Sequence, residues 1–578
     1  MNILGISCFY HDAAAALVVD GQLVAAASEE RFSRLKHDPE LPAGAAKFCL
    51  RKAGLEISDI DHVVFYDKPL TKFDRILTGY MARPLLSYRA FITALPIWLR
   101  RKLWVDHVVH KELGFEGDLL CVPHHLSHAA GTFFCSPFDR SAILTIDGVG
   151  EWATASYGIG ENNRVRLLKE MHYPHSVGLL YSALTYYLGF RVNSAEYKIM
   201  GLAPYGEPKY ADLIKDKLVT IHDDGSIHLH MEYFRYHYGM TMTGRRFAKL
   251  FGRPRRSPDQ PLDSFHNDLA ASIQAITEEI VLKMARHARE ETGLDKLCLS
   301  GGVALNCKAN GRLLKEGIFS DTYVQPASGD AGGAVGAALY AHYKLTGENK
   351  RPQPFFGLGT EYTTSEVKQF LDGNDIPYTT GRTADLLADL AARIAEGHIV
   401  GFFQGAMEFG PRALGNRSII ADPRDNRMKE KINTAVKYRE PFRPFAPAVL
   451  AEKAADYFDC PAPSPYMLFN FTVAEDKREI IPAVTHVDNS SRIQTVARDD
   501  NPVFYRLIQQ FEKITGVPVV LNTSFNLRGH PIVNTPREAF ETFCSGGIDF
   551  LLIEDFLVDK RQIDEQTLQR FAIEKKAD

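Results

Sequence analysis

Short apolar blocks separated by polar loops open the chain. Ile3–Ser7, Ala13–Val19 and Leu23–Ala27 read as strands, with a polar loop after the first and Asp20-Gly21 between the last two. Asp-Gly between apolar runs predicts a tight hairpin, because both central turn positions favour positive φ. The pattern returns at Ala142–Ile146, the loop Asp147-Gly148-Val149-Gly150, Thr154–Gly158, the polar turn Glu161-Asn162-Asn163 and Val165–Leu168. Two strand–loop–hairpin units ahead of helical stretches predict an internally duplicated α/β domain with a cleft between its halves.

Further along, Leu269, Ile273, Ile276, Ile280 and Met284 form one stripe at helical spacing, and Gly293 ends that helix. A strand at Lys296–Ser300 runs into Gly301-Gly302-Val303-Ala304-Leu305-Asn306. Another at Thr322–Gln325 runs toward Ser328-Gly329-Asp330-Ala331-Gly332-Gly333 and an Ala-rich helix. Glycine loops that follow strands and open helices let a backbone approach a nucleotide closely. The stretch Gly347 to Gly357 is polar and Pro-containing and suits a linker. Beyond it, basic residues sit among Gly, Pro and Phe, from Glu408 to Arg417 and from Lys437 to Phe445. Arg492 and Asn522–Gly529 follow. Arginines in rigid loops suit a phosphate or a carboxylate.

At 578 residues the chain exceeds one hydrophobic core, so two or more domains are expected. A net charge of −4, with no block of five like charges, does not favour nucleic-acid binding. The eight cysteines are scattered and form no CxxC pair, which argues against a zinc ribbon and fits reduced thiols. The chain starts without a basic leader, and a cytoplasmic location is expected. The most apolar region, Leu85 to Trp104, contains Arg89, Arg100, Arg101 and Lys102. It predicts a partly buried amphipathic helix and no membrane span.

The sharpest chemical feature is His124-His125-Leu126-Ser127-His128 followed by Asp147. On a helix, His124 and His128 share a face one turn apart. Two such imidazoles and an Asp from a nearby strand end can hold one metal ion.

Together these motifs resemble the O-carbamoyltransferases of the NodU/CmcH type, which decorate antibiotics, nodulation factors and saxitoxin-like toxins. The resemblance runs through HHLSHAA, DGVGEWAT, EYKIMGLAPYGEPKY, SGGVALNC, MEFGPRALGNRSI, YREPFRPFAP, SPYM, AVTHVD and LNTSFNLRG. It implies an α/β protein. Residues 1–350 would form an actin/sugar-kinase-like duplicated domain, similar to the protein that makes threonylcarbamoyl-adenosine in tRNA. Residues 351–578 would form a YrdC-like domain. It also implies ATP-dependent carbamoylation of a small hydroxylated acceptor. Carbamoyl phosphate would be converted to carbamoyl adenylate in the YrdC-like domain, and the group would pass to the acceptor in the metal-containing domain.

The same resemblance implies residue roles. His124, His128, Asp147 and Asp330 would hold a divalent metal, expected to be Fe²⁺ as in relatives, with Mn²⁺ or Zn²⁺ as alternatives that the ligand types also suit. Gly148, Gly301, Gly302, Val303 and Asn306 would line the nucleotide, and Arg412 would also bind nucleotide. His11 and Lys36 would contact the carbamoyl group or orient the acceptor hydroxyl, with His11 a candidate general base. Lys437, Arg443, Met467, Arg492, Asn522, Ser524 and Arg528 would serve carbamoyl phosphate and ATP, the latter with Mg²⁺. An acidic residue near the acceptor falls among Asp223, Asp224 and Glu232, with no choice between them. Oligomeric state stays open, a homodimer included. Two other readings stand beside this one: a threonylcarbamoyl-type tRNA-modifying transferase, and an actin-like nucleotide-dependent binding module.

Overall fold

The computed structural model describes residues 1–353, 355 and 357–574. Two residues of the expected linker, Pro354 and Phe356, lie outside them. The chain divides into two compact units: Met1–Glu29 with His37–Pro354, and Glu30–Lys36 with Phe355–Asp578.

The first unit carries the duplication. Strands β1 (Asn2–Ser7), β2 (Ala14–Val19), β3 (Gln22–Ser28), β4 (His62–Phe65) and β5 (Leu119–Cys121) form a sheet of order β3-β2-β1-β4-β5. Strands β6 (Arg140–Ile146), β7 (Ala153–Glu161) and β8 (Arg164–His172) open the second repeat. After a small hairpin, β9 (Val219–Ile221) and β10 (Ile227–Leu229), come β11 (Lys296–Ser300) and β12 (Asp321–Val324), giving the order β12-β11-β6-β7-β8. In each sheet the first three strands are antiparallel neighbours, and the last two run parallel to the first. The same order used twice is an internal duplication, as the two strand–loop–hairpin units predict. Asp20 and Gly21 take the positive φ values, 46° and 78°, that the hairpin requires.

Each repeat ends in a helix, His124–Cys135 after β5 and Asp330–Thr346 after β12. The helix of the first repeat lies on the second sheet, where Thr132 Oγ1 donates to the Leu299 carbonyl. That of the second lies on the first sheet, where a Cβ on Gly5 would stand 2.0 Å from the Ala334 carbonyl oxygen. The two helices meet through glycines. A Cβ on Gly336 would stand 1.8 Å from the Ser127 oxygen, and one on Gly131 would meet the Gly332 oxygen at 3.1 Å. The stripe predicted from Leu269 to Met284 is the inner face of the helix Ser264–Thr292, closed by Gly293 at φ 65°.

The apolar region between β4 and β5 is helical, as Pro69–Met81, Pro84–Ile97 and the wide turn Trp98–Lys102. Its buried strip is narrower than the sequence predicts. Ser87, Ala90 and Trp98 are buried, while Leu85, Leu86 and Tyr88 are exposed. Among the described residues no helix is long and apolar enough to cross a membrane.

The second unit is a mixed α/β unit. It contains β13 (Thr379–Thr380), β14 (Val400–Phe403), β15 (Arg417–Ala421), β16 (Ala446–Leu450), β17 (Asn470–Thr472), β18 (Ser490–Arg492), β19 (Gln494–Val496), β20 (Val519–Ser524), β21 (Phe550–Ile553) and β22 (Phe556–Asp559). Eight of these form one sheet, β13-β22-β21-β14-β15-β20-β16-β19, and β17 pairs with β18. Helix Pro502–Thr515 buries Phe504, Leu507, Ile508 and Phe511 in its core.

The helix contact at Gly336 has a measurable consequence. A methyl group there meets backbone, which cannot rotate away, and overpacking of this kind costs about 1–3 kcal/mol. Gly336→Ala is expected to lower the thermal midpoint of the purified protein. An unchanged midpoint would mean the helices do not approach as described.

Candidate metal centre and basic loop cluster

Four side chains converge where the two equivalent helices begin. His124 and His128 occupy the first and fifth positions of their helix. Asp330 opens the other helix, and Asp147 directly follows β6. One ligand atom from each lies within 4.8 Å of every other, and all four residues are buried. His124 Nε2 stands 3.2 Å from Asp147 Oδ2 and 3.1 Å from His128 Nε2, and His128 Nε2 is 3.7 Å from Asp330 Oδ1.

The charges explain one another. Burial opposes ionisation of Asp147, but contact with His124 and the fields of His128 and His124 hold it well below the usual carboxylate range. Asp330 is likewise lowered against burial, chiefly by His11 and His128. Burial disfavours a charged His124, yet Asp147 and Asp330 raise it to about 9. His125, by contrast, is pushed to about 3 by burial and by His124, so it is neutral, with its Nδ1 2.9 Å from Ser156 Oγ. Two buried carboxylates facing two imidazoles make a site that favours added positive charge.

Around this cluster stands a ring that sequence reasoning left without roles. Tyr66, just past β4, donates from its hydroxyl to Asp330 Oδ2 at 3.2 Å. Glu151 accepts from the His124 and Lys68 backbone N–H groups at 3.0 and 2.9 Å. It thereby caps a helix whose N-cap, Pro123, offers no side chain. Asp67 is ion-paired with Lys72 and hydrogen-bonded to Glu151. Burial, then the nearby Asp67 carboxylate, raises Glu151 to about 7. Glu151 lies in the quoted DGVGEWAT block, but its capping role depends on the loop meeting the helix. Tyr66 and Asp67 follow a strand end, a positional signal that was available.

His11 follows β1 in a loop where Phe9 and Asp12 adopt positive φ, 71° and 52°. Asp12 accepts from or pairs with both His11 Nδ1 at 3.0 Å and His37 Nδ1 at 2.7 Å. His11 Nε2 lies 3.9 Å from Asp330 Oδ2. Burial works against its charge, but Asp330 and Asp12 raise it to about 9. Lys36 is not part of this unit. It counts with the second, where its charge bears on Lys437.

Of the expected nucleotide residues, Gly302 donates its N–H to Asp147 Oδ1 at 2.8 Å. Gly301, at φ 91°, packs so that a Cβ would stand 2.3 Å from the Ile146 oxygen. A Cβ on Gly148 would meet nothing within 4 Å. Val303 lies in the short turn Gly302–Leu305, and Asn306 caps the next helix while bonding to Gln274. The candidate acids Asp223, Asp224 and Glu232 are exposed, and Asp224 is occupied by Ser226 in the β9–β10 turn.

In the second unit Lys437, buried, donates to the Ser524 and Asn526 carbonyl oxygens and to Asn526 Oδ1. Burial, then Arg439, Arg443 and Lys36, press its charge well below the usual lysine range. Arg528 donates to the neighbouring Tyr438 carbonyl at 3.1 Å. Ser524 Oγ donates to Asn526 Oδ1, and Asn522 Nδ2 to Gln494 Oε1, at 2.7 and 2.8 Å. Met467, at φ 57°, is buried against Leu414 and Ala446. Arg412 follows Pro411 in the loop before β15, Arg443 pairs with Glu440 at 3.5 Å, and Arg492 ends β18 opposite Asn470. Lys437, Ser524, Arg443 and Arg528 thus gather in one region. Arg439 and Asn526 join it without having been predicted, although both lie inside the quoted basic and LNTSFNLRG stretches.

A family model described as carbamoyltransferase N-terminus matches residues 2–339, and one described as carbamoyltransferase C-terminus matches residues 391–560. The chain is 49% identical to the uncharacterized protein sll1178 of Synechocystis, over 99% of this chain and all of that one. It is 39% identical to the nodulation protein NolNO of Sinorhizobium fredii, over 98% and 81%. It is 29% identical to nodulation protein U of Rhizobium tropici, over 98% and 97%.

The Glu151–Asp67 pair generates a pH dependence. An acid whose folded pKa is raised stabilises the fold below its unfolded value, here 4.5, and that contribution is lost as pH rises through about 7. Gln mimics the protonated acid. Glu151→Gln should therefore flatten the stability–pH curve of chelator-treated protein across this window and stabilise it above neutrality. Parallel curves for parent and variant would refute a shared proton.

Proposed function

The chain belongs to the carbamoyltransferase family, and from that premise we propose that it is an ATP-dependent O-carbamoyltransferase using carbamoyl phosphate. The observation that carries the reading is the buried set of two imidazoles and two carboxylates in the unit matched by the N-terminal family model. The basic cluster in the second unit supports a separate site for a small dianion.

In the first step, water cleaves carbamoyl phosphate to carbamate and inorganic phosphate, and a carbamate oxygen then bonds to the α-phosphorus of ATP as pyrophosphate leaves. Lys437, Arg443, Arg492 and Arg528 suit the phosphate charges, and Arg412, Asn522, Ser524 and Met467 shape the site. In the second step, the acceptor oxygen bonds to the carbamoyl carbon of the adenylate, and the bond to AMP breaks. Gly148, Gly301, Gly302, Val303 and Asn306 border the adenylate. His11 contacts the carbamoyl group or orients the acceptor hydroxyl through Nε2, with Asp12 holding the opposite ring nitrogen, and it takes the hydroxyl proton only in its neutral form, which its rise to about 9 makes the minor one near neutrality. Lys36, which counts with the second unit, suits the carbamoyl group at the basic cluster there.

The donor set fits a divalent cation, since the His Nε2 atoms face each other across two carboxylates held ionised. His124, His128, Asp147 and Asp330 would hold it, and Fe²⁺, Mn²⁺ and Zn²⁺ all suit these ligands. When bound it would neutralise phosphate charge and polarise the carbonyl.

Three experiments test this reading. Metal analysis of the purified protein should find a bound divalent ion that is lost in His128→Ala while the fold is kept. Equal occupancy in both proteins would remove the ligand assignment. Separately, turnover should release AMP and pyrophosphate, and stoichiometric ADP would rule out an adenylate. Arg443→Ala removes a charge-assisted contact worth about 1.5–3 kcal/mol, roughly tenfold to a hundredfold in binding. It should fail with carbamoyl phosphate at ordinary concentrations yet still transfer from preformed carbamoyl adenylate. Equal loss in both assays would end the two-site scheme.

A further inference from the structure

Arg75 lies on the helix Pro69–Met81 of the first unit and is 7% exposed. Its Nε has no hydrogen-bond partner, and no ion pair reaches its guanidinium among the described residues. The carboxylates whose fields reach it are committed elsewhere. Asp67 is ion-paired with Lys72, and Glu151 accepts from the His124 and Lys68 N–H groups. What Arg75 does touch is aromatic. Its guanidinium carbon sits 4.9 Å from the centre of the Tyr173 ring. Burial raises the phenols of Tyr173 and Tyr10 to about 12, so neither supplies a negative charge.

A buried Nε–H with no acceptor, on a guanidinium that no carboxylate pairs, is an unfavourable arrangement for the protein alone. It is the arrangement expected of a side chain whose acceptor arrives with a ligand. The position tells which ligand. The Tyr10 ring packs at 4.6 Å on the His11 ring, and His11 Nε2 lies 3.9 Å from Asp330 Oδ2. Arg75 also acts electrostatically on Tyr10. The wall therefore runs from Arg75 through Tyr10 to His11 and the carboxylate cluster. Arg75 belongs to the helical segment between β4 and β5, and Tyr10 and His11 to the loop between β1 and β2, whereas the glycine loops suited to a nucleotide phosphate follow β6 and β11.

We propose that Arg75 anchors an oxyanion, a carboxylate or a phosphate, on the hydroxylated acceptor, placing the acceptor between Tyr173, Tyr10 and His11. The identification of the occupant as the acceptor rests on the carbamoyltransferase reading above. A planar fork presented against an aromatic face suits bidentate oxyanion recognition, which Lys cannot reproduce.

The test uses the full-length chain and three variants of one sugar as probes: gluconate, glucose 6-phosphate and neutral glucose. AMP serves as the nucleotide arm. Binding is read as saturable shifts in thermal midpoint and by calorimetry. The expected result is saturable binding of gluconate, glucose 6-phosphate or both, with no response to glucose. Arg75→Met should weaken that binding at least about tenfold and Arg75→Lys less, while AMP affinity changes under about twofold. Without ligand, Arg75→Met should leave the midpoint unchanged or raise it, because an uncompensated buried charge has been removed.

Three outcomes would overturn the proposal. One is the absence of oxyanion binding by the parent protein. Another is equal binding by parent and Arg75→Met, with a ligand-free midpoint lowered in the variant, which makes Arg75 a packing residue. The last is a tenfold fall in AMP affinity, which gives the guanidinium to the nucleotide. Failure of the underlying reading is seen separately, as the absence of carbamoyl phosphate-dependent AMP formation by the parent protein, which leaves the oxyanion measurements standing.

Discussion

The close passage of two helices, His124–Cys135 and Asp330–Thr346, governs the chemistry of the first unit. It exists because Gly131, Gly332 and Gly336 carry no Cβ where backbone meets backbone. Each helix ends one copy of the same strand order, so duplication brings equivalent N-termini to one place. One supplies His124 and His128, the other Asp330, and β6 ends between them with Asp147. Four polar ligands from three elements then converge inside an apolar core without a dedicated loop. A wider helix separation would leave the same residues present and the site absent.

That convergence creates an electrostatic problem, and the surrounding ring is its local solution. Asp147 and Asp330 stay ionised against burial because imidazoles face them. Asp67 stays ionised because Lys72 pairs with it. Glu151 is the group forced toward neutrality, since a further bare carboxylate beside Asp67 is the least favourable charge in the neighbourhood. Either way it can accept the His124 N–H, so the helix remains capped while the proton count adjusts.

The fold was legible where the signal is local. Asp20-Gly21, the alternating strands of both hairpins, the stripe ending at Gly293 and the strand Lys296–Ser300 all follow from side-chain period and turn chemistry. Partnerships at a distance were not legible from period alone. Nothing in the run Ile3–Ser7 says that β4 will lie beside it, and nothing in Glu30–Lys36 marks it as packing with residues beyond 354. The apolar region from Leu85 read as partly buried, because composition cannot say which face finds a partner. Leu85 is 95% exposed. At the candidate site, His124, His128 and Asp147 were visible as residue types at suggestive spacing. Glu151 and Arg75 were not, since their importance lies in being buried with a particular partner or with none.

The two units handle buried charge in opposite ways, and the contrast bears on what each can bind. In the second unit Arg417 is fully buried, but its guanidinium lies 3.5 Å from the Phe403 ring centre and donates to carbonyl oxygens of Thr360, Gln404, Gly405 and Asn416. Carbonyl oxygens satisfy both of its terminal nitrogens, leaving Nε alone without a partner, as expected of a structural cation. Lys437 is also satisfied by carbonyls, yet Arg439, Arg443 and Lys36 add their fields to its own. Carbonyl dipoles hold such a lysine in place without cancelling the charge gathered around it, so the region remains attractive to an anion. The first unit accumulates carboxylates at the helix ends and remains attractive to a cation. Arg75 is the exception there, a positive group on the aromatic side of a negative cluster. Such a polarised wall can orient a ligand that carries an anion at one end and a hydroxyl at the other, because reversing it would set the anion against Asp330 and Asp147.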